Sequence, residues 1–309
     1  MCVAAGPADM PPAANPAQRE VELADGVVAL IHGDGGTGVA NCALLLKEPA
    51  TVIDTMLLPE MAAGIAATLT RHGRKADLVV NTHNHADHIG GNIVFDGVRT
   101  VAHPRTVAST KGMLQPTLPA LLGKVMPRFA PRLAHWDTVV AEPLPAAGIQ
   151  RELPDGVRVL EFIDTHSTAD LAVWLPDDEV LLAGDLCFTG VTPLAVHGRI
   201  GRWRTALDEL IALRPRVVLP GHGRPTGAEA LHALAGYLDR VLDAAALAHA
   251  EHLDAETVWA RFDPGPAAGW LEPERTLVNI QVALAEKNRT PFEGEHRVRK
   301  QSEDAPHPR

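Results

Sequence analysis

The spacing of hydrophobic positions changes several times along the chain, and each change marks an element. "REVELADGVVALIHG" and "GVANCALLLKEPATVIDT" alternate short β-rich apolar runs with Gly, Asp and Pro, the pattern of strands joined by turns. "PEMAAGIAATLTRHGRK" places Met61, Ile65 and Leu69 four residues apart and ends in a basic cluster, which predicts a helix. "ADLVVNTH" is a short continuous apolar run, a buried strand that stops on histidine. "VRTVAHPRTVAST" again couples a strand to a helix. Strands resume at "VRVLEFIDTH", "LAVWLPDDEVLLAGD" and "PRVVLPGHG", with the helix "GRWRTALDELIALR" between the last two. From about Gly227 the chain turns helical through "GAEALHALAGYLDRVLDAAALAHAEHL", "DAETVWARF" and "PERTLVNIQVALAEKN". Strands interleaved with helices predict an α/β fold.

Three regions lack such a pattern. Residues 113–150 are apolar and proline-rich without a clean period, which predicts a lid or substrate-binding insertion. Residues 1–18, rich in Pro, Ala and Gly, are expected to be a disordered leader, and the charged residues 291–309 a disordered tail. Between them lie a main domain over 19–235 and a C-terminal helical extension over 236–290.

Composition narrows the function. Hydrophobic residues make up 46% of the 309 positions and charged residues 21%, enough for a sizeable core. Acidic residues outnumber basic ones 38 to 28, so the chain as a whole repels polyanions and no nucleic-acid partner is expected. Cys2, Cys42 and Cys187 are too few for a disulfide framework. No run of about 18 apolar residues exists to span a bilayer. The opening "MCVAAGPADMPPAANPAQ" lacks the layout of a secretory signal, so a cytoplasmic protein without membrane association is expected.

The chemistry concentrates in "VVNTHNHADHIGGN". His83, His85, Asp87 and His88 are too crowded to serve one ion easily, so the cluster predicts two ions sharing a mouth, with further ligands at later strand ends. His166, Asp185 and His222 stand where the apolar runs "VRVLEFIDTH", "VLLAGD" and "VVLPGHG" stop. Imidazole with carboxylate suits two zinc ions, with iron or manganese as alternatives. The remaining histidines, among them His32, His72, His103, His135 and His197, read as structural or exposed.

This set of residues resembles the metallo-β-lactamase superfamily over about residues 20–235. The resemblance implies an αβ/βα four-layer sandwich with the metals at one edge, here followed by the C-terminal helical extension. It implies His83, His85 and His166 on the first metal, Asp87, His88 and His222 on the second, and Asp185 bridging them. Asp54 in "VIDT" matches the acidic residue that supports the site from behind, fixing the tautomer and orientation of a ligand histidine. Asp87, His88 and Asp185 are then the catalytic residues, and Asp87 also orients the attacking hydroxide. A hydroxide bridging the two ions would attack an acyl thioester, ester or lactone carbonyl. Cys187 reads as a packed thiol.

Departures from the pattern prune the superfamily. β-Lactamases typically have Cys or Ser where this chain has Asp185. Acyl-homoserine lactonases commonly carry a tyrosine where "GDLCF" offers Phe188. Flavodiiron proteins replace the second histidine, and tRNA-processing nucleases need a basic arm. A glyoxalase-like thioesterase fits the ligands, although its glutathione-binding basic cluster is not found. Residues 172–210, including "GVTP", and 274–286 are similar to actinobacterial aromatic-polyketide thioesterase/cyclases, which implies a small-molecule acyl substrate held on a carrier protein or coenzyme A. Where those proteins tend to keep acidic and histidine residues after the third motif, this chain has Ser167, Thr168 and Ala169. An apolar acyl chain would need a greasy cleft, for which Met126, Phe129, Trp136 and Phe188 are the candidate contacts.

Overall fold

Two sheets lie face to face in the computed structural model, which describes residues 18–292. The proposed leader and tail fall almost wholly outside the described residues. In the first sheet, β1 (Gln18–Ala24), β2 (Val27–His32), β3 (Cys42–Leu45) and β4 (Thr51–Ile53) form an antiparallel meander. β5 (Leu78–Asn81), β6 (Arg99–Ala102) and β7 (Glu142–Pro143) extend it in parallel. The second sheet has β8 (Arg158–Ile163), β9 (Ala169–Leu175) and β10 (Val180–Phe188) antiparallel, with β11 (Val217–His222) parallel to β10.

Parallel neighbours need long crossovers, and helices supply them. α1 (Pro59–Arg71) joins β4 to β5, the short α2 (Ala86–Ile89) and a following 3-10 turn join β5 to β6, and α7 (Ile200–Ala212) joins β10 to β11. Period-two alternation sends each central strand's side chains into two different cores. Val27, Ala29 and Ile31 of β2 meet Val180 and Leu182 of β10 between the sheets. Val28 and Leu30 face α1 instead, and Leu181 and Ala183 face α7 and the C-terminal helices. Burial on both faces explains why these strands read as continuous apolar runs. The layers are helix, sheet, sheet, helix: the expected αβ/βα sandwich.

Two boundaries differ from expectation. Residues 113–150 are largely regular: α3 (Pro104–Met113) ends there, α4 (Leu118–Val125) and α5 (Ala130–Leu133) follow, β7 completes the first sheet, and α6 (Ala146–Glu152) begins. Pro119 and Pro131 sit in first helical turns, where a missing N–H costs nothing. The break at residue 235 falls inside one helix, α8 (Glu229–Glu251), which shares a core with α7, β10, α9 (Ala255–Trp259) and α10 (Arg275–Asn288). α8 therefore belongs to the fourth layer, and α10 packs on α8 and α7 as part of the C-terminal helices expected beyond the sandwich. No helix among the described residues is long and apolar enough to cross a membrane.

Candidate metal centre

The ends of β5, β8, β10 and β11 converge at one edge of the sandwich. His83 and His85 leave β5, Asp87 and His88 lie on α2, His166 follows β8, and His222 is the last residue of β11. Asp185 is not at a strand end, because β10 continues to Phe188; a register shift against β11 between Gly184 and Phe188 turns the carboxylate toward the edge. Gly221 makes room for it, since a Cβ there would come within 1.9 Å of Asp185 Oδ1.

The seven side chains form two groups, His83/His85/His166/Asp185 and Asp87/His88/His222, with the ligand atoms of each group within 4.8 Å of one another. Asp185 faces both. Its Oδ2 lies 3.1 Å from His166 Nε2 and 3.6 Å from His83 Nε2, and its Oδ1 lies 3.1 Å from His88 Nε2 and 3.6 Å from His222 Nε2. Asp87 Oδ2 is 3.4 Å from His222 Nε2.

What the outward nitrogens do is the test of fit. His83 Nδ1 meets Thr82 Oγ1 at 3.1 Å, His88 Nδ1 meets Asp54 Oδ2 at 2.8 Å, and His222 Nδ1 meets the Gly35 carbonyl at 2.8 Å. The carboxylate and the carbonyl can only accept, so His88 and His222 donate from Nδ1 and direct Nε2 into the cluster. Asp54, in the left-handed region at φ 62°, also accepts from Thr82 N (2.8 Å) and Thr82 Oγ1 (2.7 Å). Inside the cluster, His83 Nε2, His88 Nε2 and Asp185 Oδ1 are buried without a hydrogen-bond partner. Polar atoms orphaned around one point, each oriented by a bond on its far side, fit a cation centre.

The same crowding governs protonation. Burial and the neighbouring imidazoles hold His83 and His85 well below the usual histidine range. Burial also opposes the charge on His88, but the Asp185 and Asp54 carboxylates outweigh it and lift that imidazole well above the range. Burial would raise Asp185, yet His88, His222 and His166 hold it well below the usual carboxylate range. His83 and His85, kept neutral, and Asp185, kept ionised, are in the states in which such groups bind metal, whereas a cation at His88 has to displace the proton that Asp185 and Asp54 hold there.

The sequence model of the metallo-beta-lactamase superfamily matches residues 35–222, which contain all seven clustered side chains. The chain belongs to that superfamily. It is 26% identical over 170 residues to the hydroxyacylglutathione hydrolase of Synechococcus sp. (strain JA-3-3Ab), and 25% identical over 174 residues to that of Methylococcus capsulatus (strain ATCC 33009 / NCIMB 11132 / Bath). These matches cover 55% and 56% of this chain, which spans 58% of each relative's length. A metallo-β-lactamase from Hirschia baltica shares the fold with a TM-score of 0.56 at 19% identity, over 71% of this chain and 96% of that one. A double mutant of the sec-alkyl sulfatase PisA1 aligns with a TM-score of 0.66 at 15% identity, over 94% of this chain and 52% of that one. The family fold thus includes two sheets with flanking helices, and this chain's His/Asp cluster is suited to metal.

The four residues expected to contact substrate are placed otherwise. Phe129 and Trp136 lie in the core between the first sheet and its helices, with Met126 beside them. The Trp136 indole N–H donates to the Leu57 carbonyl at 3.0 Å. Phe188 is buried and stacks parallel on His222, ring centroids 5.2 Å apart. Side chains closed into a core offer no surface to a ligand, so the expectation of a greasy wall built from them is corrected. Phe188 and Trp203 instead form an aromatic backing behind His166 and His222. His197, set aside as bland, lies against His85; its only signal in the sequence is its identity.

Proposed function

We propose that the protein is a dinuclear metal-dependent hydrolase of acyl thioesters or esters, with zinc as its ion. The observation that carries this reading is Asp185, whose two carboxylate oxygens face two separate groups of histidines. When bound, two divalent ions lower the pKa of a shared water toward ~7 and polarise the carbonyl under attack. The chain's own residues do the rest. Asp87, the more exposed of the two clustered carboxylates, is placed to accept a proton from the attacking water and to orient it. His88, braced by Asp54, and Asp185 hold the centre in register. No serine or cysteine nucleophile is required, and Cys187 is buried with its thiol pushed up by burial. Similarity to hydroxyacylglutathione hydrolases, whose substrate is an acyl thioester, supports the thioester class.

The test is direct. Purified protein is expected to carry two metal equivalents, to lose turnover of a generic acyl thioester on chelation and to regain it with zinc. Full activity in a metal-free sample overturns the reading.

A second reading, a thioesterase/cyclase acting on a carrier- or coenzyme A-bound polyketide, is favoured by the likeness of residues 172–210 and 274–286 to such proteins. The two segments meet in this fold, where Asn279 bonds to the Pro193 carbonyl and to Ala195 N. Products from a poly-keto thioester separate the readings: a linear acid means hydrolysis, a ring means cyclisation.

A further inference from the structure

His197, a histidine outside the clustered seven, touches them. His197 lies on the loop between β10 and α7, exposed to solvent, with its Nδ1 2.9 Å from His85 Nε2 and the two ring centroids 5.1 Å apart. We propose that His197 is a positioning residue that accepts the Nε2–H of His85 and so fixes the tautomer in which His85 Nδ1 is free to bind a cation. The proposal rests on reading the cluster as a metal centre.

The direction of that hydrogen bond follows from His85. Its Nδ1 points into the cluster, 3.1 Å from His166 Nε2, and a nitrogen that binds a cation carries no proton. A neutral imidazole with a bare Nδ1 has its proton on Nε2, so His85 is the donor and His197 Nδ1 the acceptor. Among the other clustered histidines, His88 and His222 donate outward to oxygen. His85 differs in relying on another imidazole, one 112 residues away in the chain.

The loop is built to hold that imidazole in place. Gly198, the next residue, packs so tightly that a Cβ would stand 1.8 Å from the Thr165 carbonyl oxygen and 2.5 Å from that of His166. Arg199 N donates to the Thr165 carbonyl at 2.8 Å. Upstream, Thr192 N donates to the Leu271 carbonyl (2.9 Å), Ala195 N to Asn279 Oδ1 (3.0 Å), and Asn279 Nδ2 to the Pro193 carbonyl (2.8 Å). The last helix and the segment before it thus tether one side of the loop, and the His166 turn tethers the other. The anchored backbone keeps the His197 Cα beside His85, and the bond to His85 Nε2 selects the orientation of the ring.

The experiment is a competition titration of the full-length protein, its His197→Ala and its His197→Asn variants, with Zn2+ alone against a chromophoric chelator. Wild type is expected to bind two equivalents. His197→Ala is expected to weaken one of them by about 10- to 100-fold and leave the other unchanged. His197→Asn, whose carbonyl oxygen can stand near the lost Nδ1, is expected to recover most of the loss, and all three metal-free proteins to melt together. Unchanged affinities in His197→Ala, or equal losses in both variants, overturn the proposal while the metal centre stands. A metal-free His197→Ala that melts well below wild type assigns a structural role and overturns it too. A wild type that takes up no zinc removes the proposal together with the metal reading.

Discussion

Replacing Asp54 by Asn tests whether the centre depends on the tautomer of its histidines. Asp54 adopts a left-handed backbone, which Asn tolerates as Asp does, so the substitution leaves the chain path intact. The amide oxygen can still accept from Thr82 N, now 2.8 Å from Oδ1. The amide nitrogen, however, replaces an oxygen that meets Thr82 Oγ1 at 2.7 Å and His88 Nδ1 at 2.8 Å. A donor then faces the His88 N–H. His88 relieves the conflict by moving its proton to Nε2, the atom that points toward Asp185, and that lone pair is lost to the metal. Loss of such a supporting carboxylate lowers metal affinity by about 10- to 100-fold, or about 1.4–2.7 kcal/mol. Competition titration with zinc is expected to show one weakened equivalent, and kcat/KM for a thioester to fall with it. Two equivalents bound as tightly as in wild type would refute the reasoning, as would 15N spectra showing His88 with its proton still on Nδ1. Asp54→Ala is expected to be harsher, about 3–5 kcal/mol of stability, because it strips a buried ion pair of one partner.

Three other outcomes follow from the same geometry. Gly221→Ala puts a methyl group where Asp185 Oδ1 now lies, so both zinc equivalents should weaken in the titration. Phe129→Ala should lower stability to urea by about 3–5 kcal/mol while KM stays at the wild-type value, since the ring packs in a core and touches no substrate. Burial pushes the thiols of Cys42 and Cys187 above their ordinary range, so both stay protonated, and peptide mapping should find neither alkylated at pH 8 until denaturant is added.

Much of this protein was legible in the order of its residues. A histidine-rich stretch after an apolar run needs no tertiary information to suggest a cation, because ligand chemistry belongs to side-chain type and close spacing. The strands were legible too, since burial on both faces leaves a continuous apolar run. The insertion shows where such reading stops short. Leu118, Leu122, Met126, Phe129, Leu133 and Trp136, all buried, repeat at helical spacing, but prolines that start new turns masked the period. Those side chains looked like a cleft because an apolar residue reads the same whether it meets a ligand or a core.

Only folding decided which atoms face which. The bulge that turns Asp185, the choice of Nδ1 on His85 but Nε2 on its neighbours, and the arrival of His197 all depend on strand register and loop anchoring. Those are set by contacts between residues tens of positions apart in the chain, and no local pattern encodes them.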